Sequence, residues 1–460
     1  MKNIDEKVKE YENEIIEGIR RLVKIPSIEG IDEENMPFGK YPKLALEEAL
    51  KLSEELGFKT RNIDGAIGYA EYGEGNEYIG ILGHVDVVPE GNGWSYNPFD
   101  VTVDNGKIYG RGVLDNKGPI ISCLYGMKII KDLKLPISKK IRVIFGTNEE
   151  SGFKDIPYYL KNEKTPIMGF TPDCKYPAIY GERGILDITI SQRIDNFENN
   201  EITIKNINGD FRSNVVPDYV DMVLKMKENQ NLNLEIKQDT ILIEKDKDTV
   251  RIIAKGVQAP GNAPELGKNA ITLLCKFLSH NKVLNVCGGK FIEFVGNKLH
   301  KDHNLKNINM DFYDEVSGHL ISNPYKLKVD NGRISISMVI RYPVTFTFIK
   351  VLEEIQRNIP ENMDIEINRR MDSVCFDLDH PMLKVMKGVY EKETGLNGNP
   401  VTTTGGTYAK VMPNIVAFGP SFPGQKGIAH NKDEYMDISD LLCNVRIYTK
   451  TIYELANLEV

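Results

Sequence analysis

The stretch Tyr78-Ile79-Gly80-Ile81-Leu82-Gly83-His84-Val85-Asp86 contains the pattern that decides the fold. Its first five residues are apolar or glycine, and a run of this length predicts a short buried β-strand over residues 78–82. His84 and Asp86 come just after that strand. A histidine with a carboxylate two residues away suits a metal ligand and the group that orients it, although such a pair alone is most often coincidental.

Two later apolar runs end in the same way. Residues 141–145 predict a buried strand, and Glu149 and Glu150 lie just beyond it. Residues 167–170 predict another strand, and Asp173 follows. Helical segments alternate with these strands, which indicates an α/β sheet. Because ligands bind outside the carboxyl ends of the strands in such sheets, we expect these polar side chains to lie at one edge.

Local patterns predict further elements. Asn105-Gly106 between two short β-prone segments predicts a hairpin, because this pair favours the positive φ values of a type I′ turn. Helices are predicted at residues 5–24, 42–56, 119–133, 269–278, 346–357 and 382–394, and two more strands at 333–341 and 364–368.

The sequence changes character after Gly184, where short strands alternate with polar runs. At 460 residues, one core is unlikely to be enough. We therefore predict an α/β domain with a mixed, mostly parallel sheet, plus an inserted α+β domain. The predicted boundaries are 1–184 and 379–460 for the discontinuous α/β domain and 185–378 for the inserted domain.

Composition excludes several classes of protein. The net charge of -8 is mild for this length and argues against a nucleic-acid partner. The N-terminus is polar and acidic, unlike a signal peptide, and no stretch is long and apolar enough to span a membrane. The six cysteines show no CxxC spacing, so they predict reduced thiols and a cytoplasmic protein.

Seven residues together supply the chemistry of a metal-dependent hydrolase. In chain order they are His84, Asp86, Asp115, Glu149, Glu150, Asp173 and His430. Individually, each has a plainer interpretation as a turn or surface residue, but chance does not readily explain the whole series in this order and mostly beside strand ends. Two imidazoles and these carboxylates are enough to hold two divalent metals and to leave one carboxylate as a base. Of the paired glutamates, we assign Glu150 to the metal and Glu149 to proton transfer.

Phosphate-binding alternatives find no support, since the chain has neither GxxxxGK nor a GxGxxG that opens a helix. The run Thr402-Thr403-Thr404-Gly405-Gly406-Thr407 is interpreted instead as substrate-contacting backbone of the returning catalytic domain, with Gly405 as the candidate residue. A plain loop is the alternative.

Several longer motifs resemble the M20 metallopeptidase family, and within it the dipeptidase branch of PepV and Sapep type. They are Leu22–Ser27 in the form LVKIPS, GHVDVVPEG, GRGVLDNKGP, GTNEESG, Asn214-Val215-Val216-Pro217-Asp218, Arg341-Tyr342-Pro343 and Phe418-Gly419-Pro420. The resemblance covers nearly the whole chain, and these motifs together are highly specific.

The resemblance implies that the discontinuous α/β domain is the catalytic domain and that the inserted α+β domain is its lid. It also implies a role for each candidate residue. His84 and Asp173 would hold one metal, Glu150 and His430 the other, and Asp115 would bridge them. Asp86 would orient His84, and Glu149 would be the general base. The Asp115–Asn116 peptide bond would be cis. Asn214 and Arg341 would lie in the lid and hold the backbone and terminal carboxylate of the substrate, because an arginine fork can bond both carboxylate oxygens.

One position departs from the family pattern. The lid motif of the family contains Ala-His-Gly, whereas this chain has Ala259-Pro260-Gly261. The resemblance implies that the missing histidine helps to stabilise the oxyanion. Proline has neither a side-chain donor nor an N–H, so Pro260 cannot take that role. His319, also in the lid, is an alternative donor.

The sequence therefore predicts a cytoplasmic dipeptidase that uses two divalent ions, with zinc as first choice and manganese or cobalt as alternatives. Its partner is a small peptide substrate, without nucleic acid or membrane, and it is a monomer or a homodimer. Two alternatives stay open: an N-acyl amino acid deacylase of the same family, and a metal- and peptide-binding relative with weak or no turnover.

Overall fold

The computed structural model describes residues 2–194, 202–227, 234, 239–281 and 288–459. The chain forms two compact units. Unit 1 comprises Met1–Gly181, Phe376–Val401 and Gly406–Val460, and unit 2 comprises Glu182–Cys375 and Thr402–Gly405.

Unit 1 is built on a mixed sheet. Its strand order is Lys59–Ile63, Ile67–Tyr72, Lys140–Gly146, Tyr78–His84, Met168–Thr171, Ile415–Ala417 and Ile179–Glu182. The middle four strands, from Lys140–Gly146 to Ile415–Ala417, are parallel, and the flanking pairs are antiparallel. This confirms the predicted α/β sheet and places the carboxyl ends of four adjacent strands at one edge.

Apolar strands and amphipathic helices form the core of unit 1. The strand Tyr78–His84 is buried along its whole length, as expected of a parallel strand covered on both faces. The helices of unit 1 are Lys2–Glu10, Glu12–Val23, Lys40–Glu55, Lys117–Asp132, Ile156–Asn162, Pro381–Thr394 and Ile438–Ala456. Buried side chains from most of these helices and from the sheet form one continuous apolar cluster.

Most predicted elements of unit 1 are confirmed within a few residues. The hairpin strands Thr102–Asp104 and Lys107–Tyr109 form an antiparallel pair. The two turn residues between them, Asn105 and Gly106, have the predicted positive φ values of 48° and 75°. The single helix predicted over 5–24 is wrong in one respect. It is divided at Tyr11, whose ψ of 3° departs from helical geometry, while its hydroxyl donates to Asp132.

Unit 2 contains two antiparallel four-stranded sheets. One has the order Ile321–Asp330, Arg333–Tyr342, Gly184–Arg193 and Met363–Met371, and the other Ile202–Gly209, Tyr219–Met226, Thr249–Lys255 and Ile241–Asp246. The helices Ala270–His280, Gly289–Phe294 and Phe348–Asn358 complete it. These elements bury a second apolar cluster, which fits the predicted α+β character.

One predicted boundary needs correction. Residues 379–460 were assigned to the catalytic domain as a single stretch, but Thr402–Gly405 belong to unit 2. Two contacts explain the difference, because the Arg341 guanidinium donates to the carbonyl oxygen of Thr404 and Asn262 donates to its hydroxyl. Gly405 is therefore part of unit 2.

Among the described helices, none combines the length and apolar character needed to cross a bilayer. No disulfide links any of the described cysteines.

Candidate metal centre

The sheet edge of unit 1 gathers the predicted ligands. His84 is the last residue of its strand, and Glu149 and Glu150 lie shortly after the neighbouring strand Lys140–Gly146. Asp173 follows Met168–Thr171. Because these three strands are adjacent and parallel, side chains more than 60 residues apart in sequence meet at one edge.

Asp115 lies between the two histidines. Its Oδ1 is 3.1 Å from Nε2 of His84, and its Oδ2 is 3.0 Å from Nε2 of His430. Nε2 of His84 is also 3.7 Å from Oδ2 of Asp173, and Nε2 of His430 is 3.0 Å from Oε1 of Glu150. One carboxylate thus contacts an imidazole through each of its oxygens, and each imidazole has a further carboxylate beside it.

Two groups of donor atoms are compact enough to hold a metal ion. Side-chain donors of His84, Glu149 and Asp173 lie within 4.8 Å of one another, and so do those of His84, Asp115 and Glu150. Glu149 is therefore part of the same cluster as the predicted ligands.

The orientation of His84 comes from the main chain of Asp86. Nδ1 lies 2.9 Å from the carbonyl oxygen of Asp86 and 3.5 Å from its carboxylate. Since a carbonyl can only accept, Nδ1 carries the proton that it donates, and Nε2 is the ring nitrogen that would bind a metal once it has lost its own proton.

Besides its contact with His84, the Asp86 carboxylate contacts the turn that carries the two glutamates. It accepts hydrogen bonds from the backbone N–H groups of Glu149 (3.2 Å) and Glu150 (3.1 Å). Asp86 therefore orients His84 through its carbonyl group and positions both glutamates through its side chain.

The segment after Asp115 links three of the predicted ligands. The Asp115–Asn116 peptide bond is cis, as the family resemblance implied. The Asn116 side chain accepts from the backbone N–H of His84 (3.3 Å) and donates to the carbonyl of Pro172 (2.6 Å), next to Asp173. Asn116 is completely buried, so these bonds are shielded from water.

Glu434 was missed by the sequence analysis. Its Oε1 accepts from the backbone N–H groups of Gly112 (3.1 Å), Leu114 (2.9 Å) and Asp115 (3.1 Å). Its Oε2 pairs with Arg111 at 2.5 Å, and both side chains are buried. Glu434 therefore shapes the loop that presents Asp115 and connects it to the segment that carries His430.

Asp155 and Tyr408 form a second support that the sequence did not reveal. One oxygen of Asp155 accepts from the backbone N–H groups of Thr147 (2.8 Å) and Asn148 (3.3 Å) and from the Tyr408 hydroxyl (2.5 Å). These bonds fix the turn that leads to Glu149.

The carboxyl groups of Glu149, Glu150 and Asp115 differ in the direction in which their surroundings shift the pKa. Burial and the negative charge of Asp173 raise the pKa of Glu149 well above its usual value. Burial and Asp115 raise the pKa of Glu150 to about 7. Burial would also raise the pKa of Asp115, but hydrogen bonds from His430 and His84 lower it below its usual value.

The same contacts raise the pKa values of both histidines. Hydrogen bonds to Asp115 and Glu150 raise the pKa of His430 to about 11. Burial would lower the pKa of His84, but the neighbouring carboxylates, Asp173 first, raise it well above normal. The centre is thus strongly attractive to positive charge.

Divalent cations fit this donor set. Two imidazoles and the carboxylates of Asp115, Glu150 and Asp173 are nitrogen and oxygen ligands of the kind that zinc, manganese and cobalt accept. Carboxylates packed this closely repel one another unless a cation or proton lies between them.

The three predicted substrate-binding residues lie in unit 2 and are connected. The backbone N–H of Gly261 donates to the carbonyl of Asn214 (2.7 Å), and Asn262 donates to the Thr404 hydroxyl (3.1 Å). Arg341 donates to the Thr404 carbonyl, next to Gly405. The structure thus brings Asn214, Arg341 and Gly405 into one region of unit 2.

Pro260 lies in the same region of unit 2. It is exposed and forms an isolated β-bridge with Val215, next to Asn214. His319, the alternative donor, contacts Asp311 through Nδ1 at 3.0 Å.

The sequence matches a known protein family over most of its length. The profile of the family described as Peptidase family M20/M25/M40 matches residues 80–454. The chain belongs to that family. A Bacillus subtilis protein named "Putative dipeptidase YtjP" is 38% identical over 433 residues, covering 91% of this chain and 92% of the relative. A Staphylococcus epidermidis relative of the same description is 34% identical over 465 residues, covering 98% of each chain.

Solved structures show the same fold. The crystal structure of an M20 family metallo-carboxypeptidase, Sso-CP2, from Sulfolobus solfataricus superposes with a TM-score of 0.60 at 16% identity, covering 96% of this chain and 98% of that one. The predicted family membership is confirmed, and the protein is an enzyme of the metallopeptidase class.

Proposed function

We propose that this enzyme hydrolyses dipeptides at a centre for two divalent ions, with zinc as the first candidate. The observation that carries the proposal is the Asp115 carboxylate, which contacts His84 through one oxygen and His430 through the other. Asp173 beside His84 and Glu150 beside His430 complete two adjacent sets of ligands. Both relatives carry the name "Putative dipeptidase", which supports the choice of substrate.

When bound, the two ions would supply Lewis acidity, which polarises a peptide carbonyl and acidifies water. His84 and Asp173 would hold one ion, Glu150 and His430 the other, and Asp115 both. The hydrogen bond from Nδ1 of His84 to Asp86 keeps Nε2 free as a ligand.

Glu149 would be the general base. Its carboxylate would take a proton from the attacking water and deliver it to the amine that leaves. Burial and the charge of Asp173 raise the pKa of Glu149, so its carboxylate holds an accepted proton more firmly than an ordinary glutamate does. Asp86 holds the backbone N–H of Glu149 and so keeps the base beside the ligands.

Asn214, Arg341 and Gly405 would bind the peptide. The guanidinium of Arg341 suits a terminal carboxylate, and Asn214 can pair with peptide groups. We also propose that the enzyme works in the cytoplasm, where thiols such as those of the described cysteines stay reduced.

The experiment is a kinetic comparison of Glu149→Gln with the wild type on a dipeptide panel, with N-acetyl amino acids alongside. We expect kcat for dipeptides to fall by about 10²–10⁴ while the bound metal content is unchanged. Glu34→Gln, which alters an exposed glutamate of the same unit, is the matched control and should behave as wild type. Hydrolysis restricted to N-acetyl amino acids, or full activity in Glu149→Gln, would overturn the proposal.

A further inference from the structure

Residues 22–29 contact three loops that carry candidate metal ligands. They begin in the last turn of the helix Glu12–Val23 and include the motif LVKIPS. This motif is part of the family resemblance, but the proposed function gives it no role. We call residues 22–29 the anchoring segment, and its contacts with the three loops indicate a role for it.

Ser27 of the anchoring segment is bonded to the loop that carries His84 and Asp86. Its side chain is completely buried, and its hydroxyl donates to the carbonyl of Val85 (2.5 Å). Its own carbonyl accepts from the backbone N–H of Val87 (3.1 Å). Both neighbours of Asp86 are therefore fixed to one residue, and Asp86 in turn orients His84.

Lys117 connects the anchoring segment to the loop that carries Asp115. Its side chain is completely buried, and its ammonium group donates to the carbonyls of Leu22 (2.9 Å) and Ile25 (2.7 Å). These carbonyls lie at the C-terminal end of the first turn-bounded helix of the segment and just beyond it, where the helix dipole favours a cation. Since Lys117 is two residues after Asp115, the two bonds fix that loop against the anchoring segment.

Glu29 of the anchoring segment contacts the turn that leads to Glu149 and Glu150. The Asn148 side chain is completely buried, and its amide donates to the Glu29 carboxylate (3.0 Å). The Lys154 ammonium lies 3.5 Å from the same carboxylate oxygen, and the backbone N–H of Lys154 donates to the Asn148 side-chain oxygen (3.1 Å). Glu29 is therefore bonded to both sides of this turn, at the residue directly before Glu149.

We propose that the anchoring segment sets the spacing of the candidate metal ligands, with Ser27, Glu29 and Lys117 as positioning residues. Ligands from separate loops bind a metal tightly only if the loops keep a fixed separation, and supporting hydrogen bonds provide it. Here the contacts join three ligand loops to one short stretch of chain. The inference rests on the metal centre of the proposed function and adds residues that are not ligands.

The test is the affinity of the metal-stripped enzyme for zinc and for manganese, measured by competition with a chelator. Ser27→Ala removes the donor to Val85 and should weaken binding about 10–100-fold, as for other residues that orient ligands. Ser53→Ala is the matched control, because Ser53 is also completely buried in unit 1 and donates to the Ala49 carbonyl (2.7 Å) within its own helix.

Ser53→Ala should keep the wild-type metal affinity. Unfolding of the metal-free proteins by denaturant shows that each variant is folded before its affinity is compared. Equal affinities of Ser27→Ala and the wild type, or equal losses in Ser27→Ala and Ser53→Ala, would overturn the inference.

A second variant decides the question if Ser27→Ala does not fold. Glu29 is exposed, so Glu29→Ala should fold while losing the contact with Asn148. We expect its metal affinity to fall about tenfold. Glu34→Ala, which alters another exposed glutamate of unit 1, should keep the wild-type affinity. Wild-type affinity in Glu29→Ala would refute the inference.

Metal affinity separates failure of this inference from failure of the proposed function. A wild type that binds metal but hydrolyses no dipeptide would refute the proposed function, and the affinity comparison would still decide the inference. Dipeptide hydrolysis with the same metal affinity in every variant would refute the inference alone. A wild type that binds neither zinc nor manganese would refute both.

Discussion

At the scale of single residues, the Asp115 carboxylate connects the two halves of the candidate centre. Its oxygens contact His84 and His430, which are 346 positions apart in the sequence (430 minus 84). The ligand types could be predicted because histidines and carboxylates at strand ends are conspicuous. Their pairing was implied by the family resemblance and not by the residue pattern itself, because it depends on how distant loops meet.

Pro260 gives the sharpest residue-level prediction. A donor that acts on the oxyanion only in the transition state raises kcat and leaves KM nearly unchanged. If Pro260 stands where such a donor is missing, Pro260→His should raise kcat for dipeptides by about 10²-fold. Steady-state kinetics would measure this, with Pro260→Ala as the control that removes the ring and adds no donor. An equal kcat in all three proteins would show that another group already supplies the hydrogen bond.

At the scale of elements, the candidate ligands lie on loops and turns. Buried carboxylates fix these loops by accepting hydrogen bonds from their backbone N–H groups. Glu434 binds three backbone N–H groups of the Asp115 loop, and Asp155 binds two of the turn before Glu149. The strands could be predicted because their apolar runs are local signals. These supports could not, because Glu434 is 319 residues from Asp115 and nothing in its neighbourhood marks it.

Substitution of Glu434 tests the support of the Asp115 loop. In Glu434→Gln the amide would place a donor against either Arg111 or the loop N–H groups, so the loop should loosen. We expect metal affinity to fall about 10–100-fold, as for other residues that orient ligands. Competition with a chelator would measure it. Asp433→Asn, which alters a neighbouring carboxylate that accepts hydrogen bonds from Ser95, should change the affinity far less.

Asp155 predicts a pH dependence of stability. Burial raises its pKa from 3.8 to about 6 in the folded protein, against the opposing hydrogen bond from Tyr408. A carboxyl group whose pKa is raised by folding stabilises the protein fully below pH 3.8, and this contribution is lost as pH rises through about 6. The wild type should therefore lose about 2 kcal/mol relative to Asp155→Asn between pH 4.5 and pH 7.5.

Denaturant unfolding of both proteins across this pH range would measure the difference in unfolding free energy. A difference that does not change with pH would contradict the assignment of a raised pKa to Asp155. The Asn side chain can keep the acceptor for Thr147 and Asn148, so the comparison isolates the charge.

At the scale of the whole molecule, the candidate site residues are divided between two units, each with its own apolar core. Unit 1 contains the candidate metal ligands and Glu149, and unit 2 contains Asn214, Arg341 and Gly405. The α/β and α+β characters could be predicted from the change in pattern near Gly184. The assignment of Thr402–Gly405 to unit 2 could not, because side-chain contacts of Arg341 and Asn262 determine it.

The most direct test of the central claim is a titration of metal-stripped enzyme with zinc or manganese while dipeptide hydrolysis is followed. We predict no hydrolysis without metal, an increase that saturates at two ions per chain, and no such increase in Glu149→Gln. Undiminished hydrolysis by fully stripped protein, or stoichiometric metal binding without hydrolysis of any dipeptide, would contradict the account.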